Sequence, residues 1–153
     1  MRAGGRELKG QLRVESDPRV SMTDADRRAR QSVLLSLYDL QKTLGSARAA
    51  ARAAIGELDA LGRGRSVVDE GMEGRLAQAQ TEIAAHLGTA TSLSRAIEGY
   101  SGLPTADQRR QLDWAFDDVS RIVAALNRVL TDLPSKPTPI AAPARRTSTQ
   151  LPR

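Results

Sequence analysis

The residue types that could do chemistry in this chain are few. His86 is its only imidazole and there is no cysteine. A zinc site or a catalytic triad needs two or three nitrogen donors, or a base with its orienting partner, so one histidine supports neither. His86 sits on a helical core position and has no second histidine to share a ligand or base role, which makes it a buried or boundary histidine satisfied by a hydrogen bond. Asp117 and Asp118 are adjacent. Neighbouring helical residues point to different faces, so the pair is a solvated face and not an acid/base or metal site. Gly62-Arg63-Gly64-Arg65-Ser66 ahead of a helix has the flavour of a phosphate-cradling loop, but it lacks the preceding strand and the Gly-Lys-Ser/Thr pattern. Arg27, Arg28 and Arg30 crowd the start of a helix, where Asp24 and Asp26 are available to pair with them. Trp114 and Phe116 cannot both enter one narrow seam; one of them caps the bundle or marks a contact surface. The reading calls for no catalytic residue, no cofactor and no metal.

Those side chains are carried on a chain of 153 residues with net charge +5, enough for one domain or two small ones. The absence of cysteine excludes disulfides, thiolate metal sites and thiol catalysis. Positive charge is concentrated at the ends: residues 1–20 carry net +2 and residues 134–153 carry net +4, through Lys136, Arg145, Arg146 and Arg153, while 21–133 carry net −1. A nucleic-acid-binding domain places a basic stripe on its folded face, and this placement argues against one. The tail could meet phosphate or anionic lipid only through simple charge. No stretch approaches the roughly 18 apolar residues of a membrane span, and no apolar signal region follows Met1. As a complete reading frame the product would stay in the cytoplasm.

The middle predicts three long helices. The first runs from Asp24 to Leu61, with Ser21 or Thr23 as N-cap. Val33, Leu37, Leu40, Leu44, Ala47, Ala51, Ala54, Leu58 and Leu61 recur at alternating spacings of 4 and 3. That heptad seam puts every one of them on one stripe of a rod roughly 57 Å long, which cannot bury the stripe alone. The second helix runs from Val67 to Ile97 or Tyr100, with Met72, Leu76, Ala79, Ile83, His86, Ala90, Leu93, Ile97 and Tyr100 as its seam. Its glycines and β-branched or hydroxyl residues make it the weakest by propensity, with a break or bend expected near Gly88. Thr105 with Gln108 caps the third, whose seam is Leu112, Ala115, Val119, Ile122, Leu126, Val129 and Leu133, widened by Trp114, Phe116, Val123 and Leu130, and Pro134 stops it. Short connections make consecutive helices antiparallel. The expected fold is all-α, an up-down-up three-helix bundle.

Two pieces lie outside the bundle of residues 21–133. Residues 6–15 alternate at Leu12 and Val14 like a half-buried strand, and Gly4-Gly5 ahead of them reads as a hairpin turn whose other strand is missing. Residues 134–153 hold five of the seven prolines, with Ser and Thr, and are expected to be disordered. On that reading, deleting 135–153 leaves the melting temperature unchanged.

The junction Leu12-Arg13-Val14-Glu15-Ser16-Asp17-Pro18-Arg19-Val20, followed by Asp24 and a long helix, resembles the C-terminal end of large bacterial β-propeller proteins. These are sortilin-like, carry sialidase-type (BNR, Asp-box) repeats and are often catalogued as glycosyl hydrolases. Pro104-Thr105 and Leu133-Pro134 fit later landmarks of the same tail. The resemblance covers about residues 5–134. It implies that Leu12, Val14, Asp17, Pro18, Arg19 and Val20 form the last strand and exit of a small β-sandwich module, with a helical segment after it. The proline fixes its own φ and keeps Asp17 extended, so Asp17-Pro18 would be a rigid turn. The propeller repeats and most of the sandwich are absent here, so no glycosidase residue is carried over. Glycoside hydrolysis would also need two carboxylates about 5–10 Å apart across a sugar cleft, which a thin bundle does not offer.

The resemblance implies a non-catalytic interaction or scaffold module that packs on its parent sandwich or on a partner chain, outside the cytoplasm if its relatives are exported. The alternative from a different class is a stand-alone cytoplasmic coiled-coil protein that homo-oligomerises or serves as an adaptor.

Overall fold

The computed structural model describes residues 2–3, 6–7, 10, 11, 15, 17, 21–60 and 67–146, of which 67–70 and the four strand residues are described in backbone only. Its elements are β1 (Arg2–Ala3), β2 (Arg6–Glu7), α1 (Asp24–Ala60), α2 (Val67–Glu98) and α3 (Ala106–Thr131). The architecture is the expected three-helix bundle.

Each helix forms where its stripe and its caps agree. At the start of α1, Thr23 is the N-cap. Its hydroxyl accepts from the Asp26 amide at 3.1 Å, while the Asp26 carboxylate accepts from the Thr23 amide at 3.2 Å and hydroxyl at 2.7 Å. Two first-turn donors are thereby satisfied reciprocally. Asp24 pairs with Arg27 at 3.4 Å. The start of α3 repeats the device: the Gln108 amide donates to the Thr105 hydroxyl at 3.1 Å, and the Thr105 amide donates to the Gln108 side chain at 2.9 Å.

The core is the union of the three seams. Leu37, Leu40, Leu44, Ala47, Ala51, Ala54 and Leu58 of α1 are buried against Met72, Leu76, Ile83, Ala90, Leu93 and Ile97 of α2 and the Leu112–Leu133 stripe. α1 packs most extensively on α2, and α1 and α3, which run parallel, meet least. The alanines in the middle of α1 let the α2 backbone approach closely, and the leucines supply most of the apolar area. At one end of the bundle the Arg30 guanidinium, from Nη2, donates to the carbonyls of Ile97 at 2.9 Å and Glu98 at 3.0 Å. A cation on the last carbonyls of α2 complements its dipole and satisfies acceptors the helix leaves open.

Four expectations need correction. α2 continues through Gly88 without a break, because packing of the residues around it outweighs a propensity cost of about 1 kcal/mol. A Cβ built on Gly88 meets nothing within 4 Å. Gly88→Ala should therefore stabilise the bundle by about 0.5–1 kcal/mol, seen as a higher denaturant midpoint at unchanged slope. The α2 seam stops at Ile97 and does not reach Tyr100, which is exposed after the Gly99 amide closes the helix on Arg95 O at 2.9 Å. The N-terminal stretch is not left without a second strand: β1 pairs antiparallel with β2, Arg2 opposite Glu7 and Ala3 opposite Arg6, while Gly4 and Gly5 lie outside the described residues. Gly10, Gln11, Glu15 and Asp17 have no regular structure, and Leu12 and Val14 lie outside the described residues.

In the tail, expected to be disordered throughout, residues 134–146 are placed against the bundle. They turn back at Lys136, whose φ is 43° and whose amide donates to Leu133 O at 3.1 Å. From there they run as an extended strap along the furrow between α1 and α3, antiparallel to both, with Ile140 packed on the core. Residues 147–153 lie outside the described residues.

Candidate functional site

The furrow between α1 and α3 is where the chain concentrates its specific polar contacts. Ser32 and Ser36, one helical turn apart on α1, are the buried polar residues of the bundle, and Asn127 is half-buried on α3. A buried hydroxyl or amide without a partner costs a few kcal/mol, so each of these needs one. A helical hydroxyl can bond the carbonyl four residues back, as Ser120 bonds Phe116 O at 2.7 Å, but the partners of Ser32, Ser36 and Asn127 are in the strap.

The Asn127 side chain donates from Nδ2 to Ile140 O and accepts at Oδ1 from Ile140 N, both at 2.8 Å. This closes a ring on one residue's backbone, as a neighbouring β-strand would. Thirteen residues of chain separate the two partners. Ser32 and Ser36 repeat the pattern: the Ser32 hydroxyl donates to Arg146 O at 2.9 Å, and Arg146 N donates to the Ser36 hydroxyl at 3.1 Å. At the far end the Glu57 carboxylate accepts from Ser135 N at 3.0 Å and its hydroxyl at 2.6 Å.

Charge is read as well as backbone. Arg145 donates to Asp113 at 2.6 Å and to Asp117 at 3.1 Å, with its guanidinium 5.2 Å from the centroid of the Phe116 ring. Arg146 reaches Asp39 through both Nε and Nη2, the second at 3.1 Å. Both Arg145 pairs are half-exposed or more on each side, and the Arg146–Asp39 pair is partly exposed, so solvent screens them and their value lies in register. The hydrogen bond from Arg146 lowers the Asp39 carboxyl below its ordinary value; partial burial opposes the shift, and the charges of Arg146 and Lys42 add to it. Arg146 is raised in return, chiefly by its bond to Asp39.

The direction of the Asp39 shift sets a pH dependence. A carboxyl that titrates lower when folded leaves the unfolded chain binding more protons between the two values. Its stabilisation is then complete above the unfolded value, near 4, and disappears as pH falls through the lowered folded value. The Arg146–Asp39 contact should accordingly be at full strength at neutral pH and weaken progressively below about pH 4. The melting-temperature difference between the full chain and one ending at Pro134, followed as pH falls, checks this, and Asp39→Asn should lessen the pH dependence.

The other candidates are placed apart from this furrow. His86 is half-buried at the edge of the α2 seam, and among the described residues no hydrogen bond reaches its ring. Asp117 and Asp118 face different ways, the first to Arg145 and the second to Arg121. The face-mate of Asp117 is Asp113, one turn earlier, a pair the sequence reading did not make. The Gly62–Ser66 loop lies outside the described residues, as do Leu12, Val14, Pro18, Arg19 and Val20; Asp17 is exposed. Among the described residues no three His, Asp or Glu side chains converge as metal ligands, and no helix is long and apolar enough to cross a membrane. The missed residues left one signal: Ser32, Ser36 and Asn127 sit beside apolar seam positions, where a polar group needs a partner.

Phe116 is the buried member of its pair, at 2 % exposure, and Trp114 is the surface one, at 63 %. Tyr38 at 61 %, Tyr100 at 59 % and Leu103 at 43 % are the other exposed large apolar side chains among the described residues. Arg30 on the carbonyls of Ile97 and Glu98 fixes the start of α1 beside the end of α2, and α3 begins at that same end. Tyr100 and Leu103 lie in the connection there, and Tyr38 and Trp114 sit about two turns further along their helices. Comparison of the chain with protein families, with curated proteins and with solved structures finds no match.

Proposed function

We propose that the chain is a non-catalytic helical interaction module, and that the end bearing Tyr38, Tyr100, Leu103 and Trp114 is its contact surface. The observation that carries this reading is that the four large apolar side chains exposed among the described residues all lie in the half of the bundle where α2 leads into α3. Exposed aromatic side chains are of the kind that a partner's surface covers. It is also the end at which residue 21 leads into α1. On the resemblance to sortilin-like propeller proteins, the last β-sandwich module precedes the helices and would meet this end. The partner is then a protein surface, and the chemistry is packing.

Trp114 is the only tryptophan, so its emission reports this surface directly. Adding the β-sandwich module of such a propeller protein should shift the emission to the blue and raise the sedimentation coefficient. Trp114→Ala with Tyr38→Ala should weaken that association at least tenfold while changing stability by no more than about 0.5 kcal/mol. A blue shift that depends on the chain's own concentration would instead favour the self-associating adaptor. An emission maximum indifferent to both would overturn the reading of this end as a contact surface.

A further inference from the structure

We propose that the furrow between α1 and α3 is a binding site for an extended, proline-containing basic peptide of a partner protein, and that the chain's own 134–146 segment occupies it in cis. The furrow's own residues carry it, whatever covers the aromatic end.

The furrow recognises its occupant as a peptide-binding groove does. Two side-chain clamps grip main chain only: Asn127 closes on both polar atoms of residue 140, and Ser32 with Ser36 closes on both polar atoms of residue 146. Such clamps accept any residue in the right extended conformation, and they supply register. Sequence is read at three points between and beside them. The Ile140 side chain enters the apolar floor, and the carboxylates of Asp113 with Asp117 and of Asp39 take Arg145 and Arg146 respectively. The ligand is therefore an extended segment with an aliphatic residue five positions before an Arg-Arg pair. The prolines at 137, 139 and 143 hold such a segment near its bound shape before it binds.

The strap is also suited to leaving. It is covalently linked through a short turn, so its effective concentration is of the order of millimolar, and weak contacts suffice to hold it. Its polar contacts lie at the surface, apart from the serine and asparagine clamps. A partner bearing the same elements displaces it when its own affinity and concentration exceed that self-competition.

The test uses the full chain. An amidated, fluorescein-labelled peptide of sequence PSKPTPIAAPARR, residues 134–146, is titrated against wild type and against Arg145→Glu/Arg146→Glu, which weakens the strap and leaves the furrow intact. Anisotropy should show at least tenfold tighter binding to the variant, loss of at least tenfold when Asn127→Ala or Asp39→Asn is added, and weakening as salt rises. Circular dichroism confirms that the variant keeps its helices. Should the charge reversal unfold the chain, Arg145→Gln/Arg146→Gln carries the same comparison. Absence of saturable binding to the strap variant, or binding indifferent to Asn127 and Asp39, overturns the proposal. A wild-type dimer that the strap variant dissolves would place a second copy's segment in the furrow and overturn it equally.

Discussion

A chain carrying Leu126→Asp is expected to lose its helices. Leu126 is 1 % exposed, at the centre of the α3 seam, and α3 on its own is held helical by its packed stripe more than by propensity. A carboxylate at that position would be removed from water with no cation within the core to meet it. Burial of an unpaired charge exceeds the several kcal/mol that separate a folded domain of this size from its unfolded chain. Leu40→Asp, at 0 % exposure on α1, should fail in the same way. Ala124→Asp provides the comparison, since Ala124 lies on the exposed face of the same helix two residues away and should change stability by no more than about 0.5 kcal/mol. Circular dichroism at 222 nm and a thermal melt distinguish these outcomes. A Leu126→Asp chain that melts cooperatively at the wild-type temperature would mean that the α3 stripe does not face α1 and α2.

The bundle was legible because its signals are local and redundant. A heptad stripe repeats its information every turn, so one atypical residue, such as His86 in the α2 stripe, does not erase it. The Thr105–Gln108 capping box needs only two residue types at one spacing, and the structure shows both of its hydrogen bonds. What could not be read was tertiary. Gly88 reads as a breaker when propensity is judged alone, and packing overrides it. The tail reads as disordered because its composition is averaged over 20 residues, whereas its placement is decided by a few. Asn127 and Ser36 signal only that a polar group beside a seam needs a partner, and pairing them with residues 140 and 146 across the chain is what defines a site. Proline content misleads for a related reason: it disfavours helix and sheet, yet it also lowers the entropy lost when a segment docks in extended form.

Ending the chain at Pro134 should lower its stability, the reverse of what composition implies. The strap contributes two side-chain clamps on main chain, partial burial of Ile140 and the ion pairs of Arg145 and Arg146 with Asp39, Asp113 and Asp117. Removing it lets water reach Asn127 and opens the edge of the core beneath Ile140. The clamping groups become solvated instead of stranded, so the loss is the net value of the contacts and not their full desolvation cost. A change of about 1–2 kcal/mol follows, read as a melting temperature lower by about 5 °C or more. Asn127→Ala in the full chain should reproduce about half of this, because it releases Ile140 while leaving the Arg146 end attached. Adding the free 134–146 peptide to the shortened chain should restore part of the lost melting temperature, and adding the same peptide with Ile140→Asp should not. A shortened chain with the wild-type melting temperature would mean that residues 135–146 spend their time away from the furrow.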